Sequence, residues 1–239
     1  PIHVRVKFEQ DRVRYEVHPV LLVRTNITEV PRPESSVPWK AITVPEQGQR
    51  SLVSLPVHRV VVKPFTGNPI VLPVGWRGTE AVTRTVIHHP GAQALPETRQ
   101  ALFVHPPWYE GRSGSVFIEM PITLPTTLPL RFECAVAIQG QMPYEPPSDG
   151  VTFRLYIAPL DTAPGVPGTL LFEKHTDSKT WEPVSVDLAA YAGQSVVLQL
   201  ETHPGPKNDT TCDRALWGDI SIAAGDLSVQ DTQQDVKSM

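Results

Sequence analysis

The chain has 239 residues, and its 21 basic and 25 acidic side chains give a formal net charge of −4 at pH 7. Proline accounts for 26 residues, about twice its usual share, which excludes a long helical bundle, and a hydrophobic content of 40% excludes disorder throughout. The near-neutral charge argues against a nucleic-acid partner, and no apolar run is long enough to predict a membrane span.

The first half of the chain shows apolar alternation with period two. Residues 2–8 and 13–17 alternate on either side of Gln10-Asp11, which predicts a hairpin with one solvated face. The apolar run 20–23 predicts a buried strand, and the proline-rich segment 31–45 predicts a connecting loop. Further strands are predicted over residues 51–57, 58–63 and 69–74. Because the chain opens on Pro1 without an initiator Met, we expect a mature product or an excised piece.

The second half is denser in strand patterns, which are separated by Gly- and Pro-containing turns. Strands are predicted over residues 100–104, 115–123, 130–138, 151–158, 169–175, 181–187, 195–202 and 216–223. Only Leu188–Tyr191 indicates a helical turn. We therefore predict an all-β antiparallel sandwich or jelly roll over residues 66–225. A small β region, either Ig-like or part of another sandwich, is predicted over residues 1–65, and a mobile tail over 226–239.

No motif in the sequence indicates catalysis. The eight histidines lack His-x-x-x-His spacing, and Cys-x-x-Cys, Gly-x-Ser-x-Gly and phosphate-loop patterns are absent. Cys134 and Cys212 could form a disulfide, but two cysteines alone make no framework, which favours free thiols. We assign no catalytic residue, and a binding protein is favoured over an enzyme.

Aromatic and polar side chains in the predicted loops form a candidate binding site. Trp108 and Tyr109 follow two prolines, and Tyr144 lies between prolines, so these rings are difficult to bury and suit stacking. Asp213 and Trp217 combine a carboxylate with an aromatic ring, the pair that a sugar requires. Each has a structural alternative, since Trp217 can belong to the core and Asp213 can cap a turn.

An ordered set of residues carries a family resemblance. It consists of His105, Asp149-Gly150, Asp187, Asn208, Asp213, Ala215 and Trp217. Over about residues 96–223 the chain resembles the galactose-binding-like jelly rolls and, among them, the carbohydrate-binding modules called NPCBM. Leu216 stands where that family usually has an acidic residue.

The resemblance implies non-catalytic carbohydrate binding by a secreted or extracellular accessory module of a larger glycan-active protein. Its partners would be a glycan and a catalytic domain of the same parent, with no nucleic acid and no membrane. The predicted ligand-binding residues are His105, Trp108, Tyr109, Tyr144, Asn208, Asp213 and Trp217. The resemblance also implies structural calcium, for which Asp149, Asp213 and Asp219 could supply carboxylate ligands.

Two alternative functions remain open from the sequence. The first is a structural β-sandwich domain that packs against a neighbouring catalytic domain and binds no sugar. The second is a β-sandwich glycan lyase or hydrolase that uses His88, His89 or His105 with a carboxylate.

Overall fold

The structure of the protein is a computed structural model. It describes residues 41–53, 59–72, 98–107, 113–140 and 143–226, together with the backbone of the strands at 3–9, 12–18 and 82–88. The chain divides into two compact units, Pro1–Pro38 and Trp39–Met239. The strand predicted over residues 20–23 and the predicted tail after Asp226 lie outside the described residues.

The first unit contains an antiparallel hairpin. Strand β1 (His3–Glu9) pairs with β2 (Arg12–His18), and the register sets His3 opposite His18. The alternation at the start of the chain is therefore confirmed as a two-stranded element.

The second unit contains the other described strands. They are β3 (Ile42–Thr43), β4 (Gly48–Ser51), β5 (Arg59–Pro64), β6 (Ile70–Leu72), β7 (Val82–His88), β8 (Arg99–Val104), β9 (Gly114–Thr123), β10 (Leu130–Ile138), β11 (Val151–Pro159), β12 (Thr169–Thr176), β13 (Glu182–Asp187), β14 (Ser195–His203) and β15 (Ala215–Ala224). From β8 onward, the predicted and observed strands agree to within a single residue at either end.

These strands form two sheets. The seven-stranded sheet has the order β12-β11-β14-β9-β5-β6, and the short β3 joins β9 in parallel. The six-stranded sheet has the order β13-β10-β15-β8-β7, and β4 pairs with another part of β15. The remaining pairings are antiparallel. The predicted all-β antiparallel sandwich is thereby confirmed.

The sandwich begins before the domain boundary that was predicted near residue 65. Strands β3, β4 and β5 all precede that residue, yet they hydrogen-bond to β9 and β15 in the second unit. Of the strand predicted over 51–57, Ser51 lies in β4 (Gly48–Ser51), which pairs with the end of β15, and residues 54–57 lie outside the described residues. Strand β7 was not predicted, and the predicted loop over 31–45 includes β3.

The core lies between the two sheets. Since side chains alternate between the faces of a strand, β14 directs Leu198 and Leu200 inward and Gln199 outward. Phe153 of β11 packs edge-on against Trp217 of β15, with ring centroids 5.0 Å apart. Full burial of an apolar side chain of this size contributes roughly 1.5–3 kcal/mol to folding. The predicted helical turn is a single 3₁₀ turn, Ala189–Tyr191.

A buried polar network fixes the loop 160–168 to the seven-stranded sheet. Glu119 is completely buried, and its Oε2 accepts a hydrogen bond from Arg59 Nε at 2.6 Å. Its Oε1 accepts bonds from the Gly165 amide and Gln199 Nε2, both at 3.0 Å. Gln199 Oε1 accepts a further bond from the Gly168 amide at 2.9 Å. The network therefore supplies partners for two loop amides that the sheet ladder does not reach.

Both cysteines are free, as favoured from the sequence, and burial raises the pKa of the Cys134 thiol. Among the described residues, no helix has the length and apolar character needed to cross a membrane.

Candidate functional site

Several loops meet at one end of the sandwich, which we call the loop end. Strands β8, β10 and β14 end there, and β9, β11 and β15 begin there, as the pairings of Ile138 with Ala215 and of Thr152 with His203 show. The loop end therefore brings together segments that are distant in the chain, as the bond from Ser113 Oγ to the Asn208 carbonyl illustrates (3.0 Å).

A cavity of about 530 Å³ opens at the loop end. It is lined by His105, Thr210, Thr211, Cys212 and Arg214. Of these five residues, only His105 was predicted from the sequence as a ligand contact. Arg214 lies between Asp213 and Ala215 of the quoted motif, so its position in the sequence was the available signal.

His105 is held as a neutral imidazole. Its Nδ1 donates a hydrogen bond to the Pro106 carbonyl at 2.7 Å, which leaves Nε2 as an acceptor. Burial lowers the pKa of His105, the bond to Pro106 opposes that effect, and the Arg214 cation lowers the pKa further. The partner of Nδ1 is a carbonyl and not a carboxylate, so the contact does not provide the acid–base pair of the hydrolase alternative.

Arg214 is fixed in a fork-to-fork ion pair. Its Nη1 and Nη2 donate to the two carboxylate oxygens of Glu145, at 2.8 Å and 2.5 Å. This planar arrangement fixes the guanidinium beside the cavity. Tyr144, the residue before Glu145, is 84% exposed, as predicted from its flanking prolines. Its ring is therefore accessible from solvent.

The carboxylates of Asp149 and Asp213 lie near each other beneath these loops. Asp213 is completely buried and accepts a hydrogen bond from Ser148 Oγ at 2.6 Å. Asp213 Oδ2 and both oxygens of Asp149 are buried without a hydrogen-bond partner. Burial raises the pKa of Asp213 to about 7, the Ser148 bond opposes the shift, and the charge of Asp149 adds to it. Lys207 Nζ lies 3.4 Å from Asp149 Oδ2.

Asp219, which the resemblance grouped with these two carboxylates, lies elsewhere. It belongs to β15, and its Oδ2 pairs with Arg99 Nη1 at 3.2 Å. In the part of the chain that the structure describes, no three His, Cys, Asp or Glu side chains are grouped around a potential metal position. A cation at Asp149 and Asp213 would therefore need backbone carbonyls or water as its other ligands.

Trp217 lies in the core. It has no exposed surface, and its Nε1 donates to Thr202 Oγ1 at 3.0 Å. Its ring can therefore not offer a face to a ligand without repacking of the core. This corrects its assignment as a ligand contact, because β15 lies between β10 and β8 in the middle of a sheet.

The other predicted site residues have different outcomes. Asn208 is exposed at the loop end, with a positive φ of 57°. Trp108, Tyr109 and His89 lie outside the described residues, and only the backbone of His88 is described, at the end of β7. Their roles stay predictions.

The fold and the loop-end cavity define an all-β sandwich module with a polar pocket at one end. No family model matches the chain. An uncharacterized protein of Archaeoglobus fulgidus is 36% identical over 127 residues, which span 53% of this chain and 31% of that protein. The matched region thus covers less than a third of that relative.

Solved structures that resemble this one include carbohydrate-binding modules. The chain resembles the CBM51-2 and INT domains of Clostridium perfringens ZmpB (TM-score 0.43, 14% identity, 74% of this chain and 31% of that one). It also resembles the tandem CBM51 modules of the family 98 glycoside hydrolase Sp3GH98 from Streptococcus pneumoniae (TM-score 0.44, 12% identity, 74% and 47%). A third is the CBM22-1 xylan-binding domain of Paenibacillus barcinonensis Xyn10C (TM-score 0.35, 12% identity, 62% and 83%).

Proposed function

We propose that this chain binds saccharides without cleaving them, and that the loop-end cavity is the binding site. The observation that carries the proposal is the cavity of about 530 Å³ whose described lining consists mainly of polar side chains. The exposed Tyr144 belongs to a loop at the same end of the sandwich. This volume lies within the range of small-molecule sites.

The chemistry of the cavity suits hydroxyl groups. Arg214 supplies hydrogen-bond donors, neutral His105 supplies an acceptor at Nε2, and the hydroxyls of Thr210 and Thr211 supply both. The Tyr144 ring offers an apolar surface for the C–H face of a sugar. None of the described residues that line the cavity is a carboxylate, whereas glycoside cleavage generally needs two. Binding without hydrolysis is therefore the function that this site supports best.

The chain would act as an accessory module of a larger glycan-active protein that is secreted or extracellular. The relative from Archaeoglobus fulgidus extends well beyond the matched 127 residues, which is consistent with a module inside a longer protein. A catalytic domain of the same parent would be the partner. The alternative is a structural sandwich domain that has no affinity for sugars, and the binding experiments below distinguish the two.

We expect Arg214→Met to weaken saccharide binding by at least about tenfold, because a hydrogen bond from a charged donor contributes roughly 1.5–3 kcal/mol. Calorimetric titration with N-acetylglucosamine, β-1,4-galactotriose and xylohexaose measures the effect. These three sugars are the ligands in complexes of solved structures that resemble this chain.

The matched control is Arg131→Met, since Arg131 is exposed at the opposite end of β10. Equal affinities of the two variants would assign the binding to another surface. Absence of binding to all three sugars and to a glycan array would favour the structural domain.

We propose in addition that calcium binds between Asp149 and Asp213. The support is that Asp213 Oδ2 and both Asp149 oxygens are buried without a hydrogen bond, and that the nearest cation is Lys207 Nζ, 3.4 Å from Asp149 Oδ2. Buried oxygens without hydrogen bonds are costly, and hard cations prefer oxygen ligands. Bound calcium would neutralise both carboxylates and stiffen the loops 143–150 and 204–214 that surround the cavity.

Chelation with EGTA should lower the melting temperature by roughly 5–10 °C relative to protein in calcium at about 100 times its Kd. In Asp213→Asn, which keeps the shape of the side chain and removes its charge, the chelator should have little effect. An equal shift in both proteins would contradict a site at Asp213.

A pH series provides the control for this test. The folded pKa of Asp213, about 7, lies above its ordinary value of 3.8, so a proton on Asp213 stabilises the metal-free fold. That contribution is fully present below the ordinary pKa and is lost as the pH rises through 7. The chelated protein should therefore lose more stability between pH 4 and pH 7 than chelated Asp213→Asn does.

A further inference from the structure

A β-bulge interrupts β15 in the middle of the six-stranded sheet. Glu133 of β10 pairs with Ser221 and Ala135 pairs with Gly218, so Asp219 and Ile220 together face a single residue of β10. Ile220 is completely buried, whereas the side chain of Asp219 is about half exposed. Asp219 has a φ of 48°, in the left-handed region that costs energy for a residue other than glycine. The bulge thus turns a carboxylate outward at the expense of backbone strain.

On the side of β15 opposite β10, the neighbouring strand changes at the same position. Strand β8 pairs with β15 up to Gly218, and β4 pairs with it from Ser221 onward. Between these two ladders, the Leu52 amide donates to the Ile220 carbonyl at 2.8 Å. Asp219 therefore lies at the break between these two ladders.

A groove of about 550 Å³ lies at this break. Its walls include Gln49, Arg99, Glu133, Pro183, Asp219 and Ser221. These residues and Ser185 bring polar groups from five strands, and Glu133 and Ser221 are cross-strand partners on the face that points away from the core. The groove is therefore a feature of the sheet surface and is separate from the loop-end cavity, with Asp219 about 13 Å along β15 from Ala215.

Contacts among the lining residues hold their polar groups in place. Arg99 Nη1 donates to Asp219 Oδ2 at 3.2 Å, and Gln49 Nε2 donates to Ser221 Oγ at 2.8 Å. The Arg99 guanidinium lies 5.7 Å from the ring centroid of Trp181. A Cβ atom on Gly218 would lie 2.7 Å from the Trp181 ring, so the ring packs directly on the backbone beside the bulge. Trp181 is thus a positioning residue for Arg99.

We propose that this groove is a second binding site, which takes a neutral, hydroxyl-rich ligand, namely an internal stretch of an oligosaccharide. The groove contains carboxylate and amide acceptors together with guanidinium and hydroxyl donors, and this combination suits the neighbouring hydroxyl groups of a sugar. Two carboxylates against one guanidinium disfavour an anionic sugar. Because the groove runs across strands and is open, it suits a chain better than a terminal sugar. The proposal does not depend on the loop-end site.

The probes are neutral hexasaccharides of xylose, glucose and mannose, with a hexamer of galacturonic acid as the anionic counterpart. Titrations followed by NMR use the Trp181 indole N–H as a local reporter, since that ring contacts Arg99. We expect at least one neutral hexasaccharide to bind at millimolar concentration or below and to shift this signal. The galacturonic acid hexamer should bind more weakly.

Two variants test the residues themselves. Asp219→Gly removes the carboxylate and relieves the positive φ, so binding should weaken at least tenfold while the melting temperature stays equal or rises. Glu133→Gln removes the second carboxylate and should weaken binding without unfolding the protein. Asp177→Asn, at an exposed aspartate in the turn after β12, is the matched control and should bind as the parent does.

Three results would overturn the proposal. One is the failure of every neutral hexasaccharide to bind at millimolar concentration. Another is undiminished binding by both Asp219→Gly and Glu133→Gln. The third is binding that is lost in Arg214→Met but retained in Asp219→Gly, which would assign the ligand to the loop-end cavity and leave the function proposed there intact.

Discussion

Replacing Trp217 with alanine should lower the free energy of unfolding by about 3–5 kcal/mol, the loss expected for truncation of a large buried aromatic side chain. The ring has no exposed surface, packs edge-on against Phe153 and donates a hydrogen bond to Thr202. Alanine would leave a cavity between the sheets and the Thr202 hydroxyl without its donor. Urea denaturation followed by circular dichroism measures the change, and any loss of sugar binding should follow the loss of folded protein.

Two further variants separate core packing from ligand contact. Trp217→Phe retains an aromatic ring against Phe153 but removes the donor to Thr202, so the destabilisation should be smaller, about 1–2 kcal/mol. Tyr144→Ala removes an exposed ring and should change stability by less than about 0.5 kcal/mol. If Trp217→Ala were as stable as the parent but failed to bind sugar, Trp217 would belong to the binding site and its placement in the core would be wrong.

Glu119→Gln should destabilise the protein by about 3–5 kcal/mol, since it removes one partner of a buried ion pair. Glu119 is completely buried, and the Arg59 guanidinium, with 15% side-chain exposure, would lose the negative charge that Glu119 places against it. In the glutamine variant a single side-chain oxygen would have to accept the bonds from Arg59, the Gly165 amide and Gln199 that the two oxygens of Glu119 share. Amide hydrogen exchange at Gly165 should therefore accelerate along with the drop in unfolding free energy.

Glu173→Gln is the matched control for this change. Glu173 also accepts a hydrogen bond from an arginine, Arg154 Nε at 2.5 Å, but its side chain is 50% exposed. Exposed ion pairs contribute only about 0–1 kcal/mol, so this variant should be nearly as stable as the parent. Similar losses in the two variants would contradict the role given to burial at Glu119.

The sequence predicted the strands well because alternation is a local property. Within a strand, successive side chains lie on opposite faces of the sheet, so Leu198 and Leu200 on one face and Gln199 on the other identify β14 without knowledge of its neighbours. The same reasoning missed β7, and it placed β4 too late because that strand is specified by its pairing with β15.

The candidate site was predicted only in part. His105 and Tyr144 were predicted from loop composition and motif order, and both lie at the loop end. Arg214, which lines the cavity, was not predicted although it lies inside the quoted motif. An arginine in a polar loop has no periodicity that distinguishes a ligand contact from a solvated side chain. Its fixed position depends on Glu145, which lies far from it in the chain.

The sequence by itself determined that this protein is an all-β sandwich, because apolar alternation decides strand faces locally. The tertiary structure alone decided which polar side chains meet. It brought Ser148 and Asp149 to Asp213 across the loop end, where burial raises the pKa of Asp213. It placed Trp217 in the core through the central position of β15, and a bulge turned Asp219 outward beside Arg99. These outcomes depend on pairing between distant strands, and a spacing pattern along one strand does not contain that information.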